Sequence, residues 1–195
     1  MIGRLLWGGA LAAVLAACGG AEAKPSPGGV VDSIVPRDTA IARFQRSLPL
    51  VTAFQGGAPS RDRLVRSFVA ALEKRDTAAL RALALDRSEF GWLYYPTNPE
   101  GLPPYNLTPQ LMWFLLEGRN EQGVAKLLDR RAGRPLHYLG YRCEGEPSRQ
   151  GGSVVWGPCV VLRRSEQGDT VSERLFGQIV ARGGRYKFVS YANQL

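Results

Sequence analysis

The chain has 195 residues, with 25 Lys+Arg against 17 Asp+Glu for a formal charge of +8, one His and three Cys. That length supports one domain with a single core. A single His and no CxxC pair exclude the usual His/Cys metal-ligand sets. The basic residues are scattered along the chain, the pattern of a solvated basic surface rather than a nucleic-acid footprint.

Met1 to Arg4 carries one positive charge, and an apolar run from Leu5 to Val14 follows and closes in Leu15-Ala16-Ala17-Cys18. A spanning helix needs roughly 20 apolar residues. This run is shorter, and Gly- and Pro-containing sequence follows at once, so it reads as the apolar region of an export signal. The closing tetrapeptide resembles the bacterial lipobox, an aliphatic residue and two small residues before a cysteine. The resemblance implies a signal peptide over residues 1–17, diacylglycerol transfer to the Cys18 thiol, cleavage before it and acylation of the freed amine. Two or three acyl chains hold a protein far more firmly than the single chain that binds reversibly. Gly19, where enteric bacteria place Asp to retain a lipoprotein at the inner membrane, leans towards an outer-membrane anchor facing the periplasm. An exported chain does not meet nucleic acid, so the partners expected are the membrane, an envelope protein or a small apolar ligand. Anionic lipid or an envelope polyanion remains open as a partner for the basic charge.

With Cys18 acylated, Cys143 and Cys159 remain as an even pair in an oxidising compartment, so a Cys143–Cys159 disulfide is expected. A loop of that size contributes on the order of 3 kcal/mol in the chain-entropy picture.

Residues 18–35, rich in Gly, Ala and Pro, read as a tether. A short helix over residues 38–48 puts Ile41, Phe44 and Leu48 on one face, with Asp38 or Thr39 as cap and Pro49 as stop; residues 36–59 then form a helix and loop ahead of the main domain, 60–195. Ser60 caps a helix with Leu64, Val65, Phe68, Ala71 and Leu72 at helical spacing, and Asp76-Thr77 restarts a short one with Leu80 and Leu83. An aromatic stretch, residues 88–95, stops at Pro96, and residues 97–104 form a loop. Thr108-Pro109 opens a helix expected to break near Gly118, with a further helix carrying Val124, Leu127 and Leu128 and ending at Gly133.

From Pro135 the pattern turns to strands: residues 136–143, 153–163, 170–180 and 185–192, separated by short Gly-rich links. Such links build an antiparallel meander, with Cys143 and Cys159 on neighbouring strands and Gly157-Pro158 marking a bulge or edge. The expected fold is α+β: N-terminal helices packed on a C-terminal four-stranded antiparallel meander. The phrase FVAALEKRDTAALRALAL ahead of such a sheet resembles the nuclear-transport-factor-two-like (SnoaL-like, cystatin-like) architecture. That resemblance implies a cone-shaped half-barrel enclosing a pocket.

Chemistry is sparsely marked. A Ser-His-Asp triad would need His137, and no GxSxG elbow accompanies it. The Gly pairs at 56–57, 151–152 and 183–184 lack the Lys-Ser/Thr of a phosphate loop. Asp86 and Glu89 lie near Trp92, Tyr94 and Tyr95 and can be read as pocket carboxylates, or as acidic residues favoured at a helix start. The densest feature is the aromatic set Trp92, Tyr94, Tyr95, Tyr105 and Trp113, which suits either a binding patch or a plug between helices and sheet. The expectation is a non-catalytic, membrane-anchored binding or interaction module without cofactor or metal. The alternative is a SnoaL-like pocket enzyme with His137 and Asp86 or Glu89 as acid and base.

Overall fold

The computed structural model describes residues 35–195. The expected signal peptide, the expected lipidation site Cys18 and the expected tether through Ile34 lie outside the described residues. Helix α1, Arg37–Gln45, starts directly after Pro36 rather than at a side-chain cap from Asp38 or Thr39. Proline preset at the helix entrance explains the earlier start. The apolar face expected for α1 is buried at Phe44, and Gln45 Nε2 donates to the Gly91 carbonyl at 2.9 Å. A Cβ at Gly91 would stand 2.9 Å from the Phe44 ring, so glycine is what lets α1 seat there.

Helix α2, Arg61–Glu73, begins where expected: Ser60 Oγ accepts from the Arg63 amide at 3.1 Å. Its apolar face, Leu64, Val65, Phe68 and Leu72, is fully buried. Helix α3, Thr77–Leu83, is capped by Asp76, which accepts from the Ala79 amide. A short helical turn, α4 (Arg87–Glu89), passes into a π-helical turn over Phe90–Tyr94. Helix α5 runs unbroken from Pro109 to Arg130, capped by Thr108. The break expected near Gly118 is absent. A glycine inside a helix costs about 1 kcal/mol, which tertiary packing overrides.

The four β runs keep their antiparallel order, but they divide into six strands that, with a seventh from a loop, make two open sheets among the described residues, not one four-stranded meander. These are β1 (Tyr138–Cys143), β2 (Ser148–Gln150), β3 (Ser153–Trp156), β4 (Cys159–Arg164), β5 (Thr170–Glu173), β6 (Ile179–Arg182) and β7 (Arg185–Phe188). One sheet has the order β1-β4-β5, the other β2-β3-β6-β7. The second run divides into β3 and β4 at Gly157-Pro158, where Gly157 has φ +130° and Pro158 has no N–H for a ladder. The third divides into β5 and β6, with Leu175 and Phe176 fully buried in the gap. The loop expected before the second run contributes β2. Cys143 faces Cys159 in the β1–β4 ladder and is disulfide-bonded to it, with Cα atoms 3.9 Å apart.

The four-stranded sheet is covered on both faces. On one, Ile179 and Phe188 join α2 and α3 around Phe68, whose ring lies 5.5 Å from Phe176 and Phe188 and 5.6 Å from Tyr191. On the other, Val155 and Val180 join Phe44, Phe54, Phe90, Tyr94, Tyr95 and Met112. Residues Val35–Leu195 form one packed unit. The 36–59 segment belongs to it: Phe54 and Ala58 are buried, and Ala58 bridges to Tyr186.

The chain after β7 crosses α5. Asn120 Oδ1 accepts from the Tyr191 amide at 2.9 Å, and Asn193 Nδ2 donates to the Gly123 carbonyl at 2.8 Å. A Cβ at Gly123 would lie 1.8 Å from the Tyr191 carbonyl oxygen, whereas one at Gly118 meets nothing within 4 Å. Gly123→Ala should therefore lower the thermal midpoint by an amount matching about 1–3 kcal/mol of overpacking. Gly118→Ala should raise it by up to about 1 kcal/mol of helix propensity. Paired thermal melts followed by circular dichroism measure both.

Candidate functional site

Asp86 and Glu89 form a capping box: Asp86 Oδ1 accepts from the Glu89 amide at 2.8 Å, and Glu89 Oε2 accepts from the Asp86 amide at 3.0 Å. This local arrangement starts the turn from which the aromatic segment follows. Glu89 does more than cap. It is fully buried, and Lys187, on β7 and almost as buried, donates to both of its oxygens at 2.9 and 2.7 Å. The Gln55 amide adds a fourth hydrogen bond at 2.6 Å. Lys187 points to this face because it shares its cross-strand row with Val180 and Val155. Glu89 is thus a saturated structural anion, and Asp86 is committed to the cap.

His137 lies just before β1 with φ +50°, exposed, rather than in the strand. A bulge between Tyr138 and Gly140 turns Leu139 outward and leaves Tyr138, Tyr141 and Cys143 partly packed on the core. His137 and Leu139 are therefore exposed, whereas Tyr141 and Cys143 are partly buried, and the four share no face. His137 borders a depression of ≈ 210 Å³ with Arg131, Arg134, Arg163, Arg164 and Glu166. Neither Asp86 nor Glu89 lines it, so the structure does not bring the three candidate acid–base residues together.

Beside this depression, Glu173 of β5 receives two guanidinium forks. Arg131 donates at 3.0 and 2.7 Å, and Arg163 at 2.9 and 2.6 Å. Hydrogen bonding from Arg163, then from Arg131, outweighs partial burial and holds the Glu173 carboxyl down at about 2.

The aromatic set is divided among several tasks. Tyr95 is buried, and its hydroxyl donates to the Leu107 carbonyl at 2.6 Å. Trp92 and Trp113 pack half-buried against the second core, with Trp113 5.3 Å from Phe90. Tyr105 is 68% exposed. Tyr94 is buried, and burial first, then the Glu100 charge, pushes its hydroxyl up against an opposing bond from Asn98.

Tyr94 and Tyr105 meet again at a cleft of ≈ 720 Å³ on one flank of α5. Its apolar lining is Leu107, Met112, Leu115, Leu116 and Val189; Glu100, Arg119, Gln178 and Ser190 are polar groups on the same walls. A second cleft of ≈ 440 Å³ lies along the other flank, lined by Leu80, Leu85, Trp113, Leu116, Val124 and Leu128 among others. Leu116 and Val189 line both. An apolar interior with a few convergent polar groups is the composition of small-molecule sites. Of the aromatic set singled out in the sequence, Tyr94, Tyr105 and Trp113 line these clefts; the other α5 residues and the strand-end residues Gln178, Val189 and Ser190 fall outside that set. Among the described residues no group of three or more His, Cys, Asp or Glu side chains is placed to hold a metal, and no helix is long and apolar enough to cross a membrane.

Comparison with protein-family models, with curated proteins and with solved structures finds no match to this chain.

Two substitutions test the roles assigned here. Lys187→Met strands the Glu89 charge and should cost about 3–5 kcal/mol in urea unfolding; adding Glu89→Gln should recover part of it, with a coupling energy in the double-mutant cycle. Glu173 has a depressed folded value, so its contribution is present above the ordinary carboxylate value of 4.5 and lost as pH falls from there through about 2. Glu173→Gln should therefore be less stable than the wild type near neutrality, with the gap closing between pH 4.5 and 2.

Proposed function

We propose that this chain is a lipid-anchored envelope lipoprotein whose α+β domain is a non-catalytic binding module for a small, mainly apolar ligand. The anchor rests on the Leu15-Ala16-Ala17-Cys18 lipobox, and the Cys143–Cys159 disulfide accords with an oxidising compartment. The binding role rests on one observation, the ≈ 720 Å³ cleft beside α5. Its volume falls within the range of small-molecule pockets. Its Leu and Met walls suit an alkyl or ring system, while Tyr94, Glu100, Arg119 and Ser190 can orient a polar end.

A helical layer over open antiparallel sheets also supports kinship of architecture with nuclear-transport-factor-two-like proteins, in which the pocket lies between helices and sheet. The candidate acid–base residues lie outside the cleft, so the reading assigns it binding rather than turnover.

Mass spectrometry of the chain purified from membranes should show an N-terminus at Cys18 carrying acyl mass; a free thiol there, or a different start, removes the anchor. Native mass spectrometry of the same material should show a retained small molecule. Leu116→Trp, which places a bulky ring between the two clefts, should reduce its occupancy at least fivefold. Equal retention by the variant would discard the cleft as the site.

A further inference from the structure

We infer that the loop before α5 and the first turns of α5 form a membrane-docking face, applied to the surface of the same bilayer that holds the lipid anchor. The inference rests on the anchor proposed above. Eight large apolar side chains are exposed among the described residues; five of them lie on this loop and helix, Leu102, Tyr105, Leu111, Phe114 and Leu115, and Val35 stands at the entry to α1. Phe114 is 70% exposed. On α5, Leu111, Phe114 and Leu115 are spaced i, i+3 and i+4, a single helical face. Tyr105 and Leu115 border the same cleft, which joins the loop to that face.

The point at which the chain enters the domain identifies the occupant. Arg37, the first residue of α1, donates to the Gly101 carbonyl at 3.1 Å and the Pro96 carbonyl at 2.7 Å. Its guanidinium also stands 5.7 Å from the centroid of the Tyr95 ring. Tyr95 in turn holds Leu107 through its hydroxyl. The covalent entry to the domain is therefore fastened to the very loop that carries Leu102 and Tyr105. Seventeen residue steps separate Cys18 from Val35, and a chain of that length reaches at most roughly 60 Å. An acylated Cys18 thus keeps this end of the domain within about 60 Å of the lipid. Confinement raises the effective concentration of bilayer at the apolar face, so a face too weak to bind unaided can dock.

The chemistry of the face matches that surface. Leu and Phe enter the acyl boundary, and a Tyr ring presents an apolar body with a polar tip at headgroup level. An exposed cluster of this kind marks an interaction site rather than ordinary surface. The mouth of the larger cleft shares this rim through Tyr105 and Leu115.

Photo-crosslinking on the full chain in its own membranes tests the face. p-Benzoylphenylalanine replaces Phe114 or Tyr105 in two separate variants, and Leu139 in a third; Leu139 is 50% exposed on β1, outside the cluster. After irradiation, phospholipid adducts are expected at positions 114 and 105, at least tenfold above those at 139. Equal lipid labelling at 139, or adducts at 114 only to another protein, overturns the docking face. Acyl mass on Cys18 without lipid adducts at 114 overturns the face and leaves the anchor standing. Lipid adducts at 114 on a chain without acyl mass support the face and overturn the anchor.

Discussion

The Glu89–Lys187 ion pair sits where three parts of the fold meet. Glu89 opens the turn that carries the aromatic segment, Lys187 lies on β7, and the Gln55 amide belongs to the loop that ties α1 to α2. Two unit charges removed from water at a site this buried carry a heavy desolvation cost, and only full hydrogen bonding offsets it. Glu89 meets that condition with two amides and a doubly bonded ammonium. The pair therefore tolerates little displacement of its three supports. Since Lys187 projects from one face of the sheet while its neighbour Phe188 projects from the other, fixing Lys187 also fixes the register of the Phe68 cluster on the far side.

The cleft follows from that constraint. With the segment carrying Phe90, Tyr94 and Tyr95 pinned to the sheet, the loop after it is carried outward and returns as α5. Helix α5 is held near its start by Met112 and farther along by Gly123 and Leu127, which are buried. Between those holds the larger cleft opens beside Met112, Leu115, Leu116 and Arg119, and the second, which shares Leu116, follows the other flank as far as Leu128. The larger cleft occupies the stretch of α5 between its buried anchor points.

Much of the helical layer is legible in the sequence because its signals are local. Ser60, Asp76, Asp86 and Thr108 each cap the turn that follows them, and the α2 apolar face appears at its expected spacing. Gly157-Pro158 also reads correctly as an interruption. That the interruption parts two sheets depends on Leu175 and Phe176 turning inward on the partner run, which no local pattern announces. The unbroken α5 is hidden for a similar reason: Gly118 reads as a breaker, and the contacts that fasten the helix, from Tyr191 and Asn193, come from about 70 positions downstream. Lys187 carries a faint signal, a charge inside the strand sequence RYKF, yet its partner lies 98 positions away. Glu89 reads as a pocket carboxylate or as an acidic residue at a helix start, and neither reading announces a buried ion pair. The cleft draws on the aromatic segment, α5 and two strand ends, so composition reveals only its aromatic share.

The contact at Gly123 bears on the order of events during synthesis. Helix α5 receives its fastening from Tyr191 and Asn193, which follow Asn120 and Gly123 by 71 and 70 positions. A chain delivered N-terminus first exposes α5 long before that fastening exists, and the helix waits with its apolar side uncovered. Completion of the fold is thereby deferred until the last strand and the residues beyond it have emerged. The last residues of the chain thus act as a closing latch, formed only after the helix that it fastens has been synthesised.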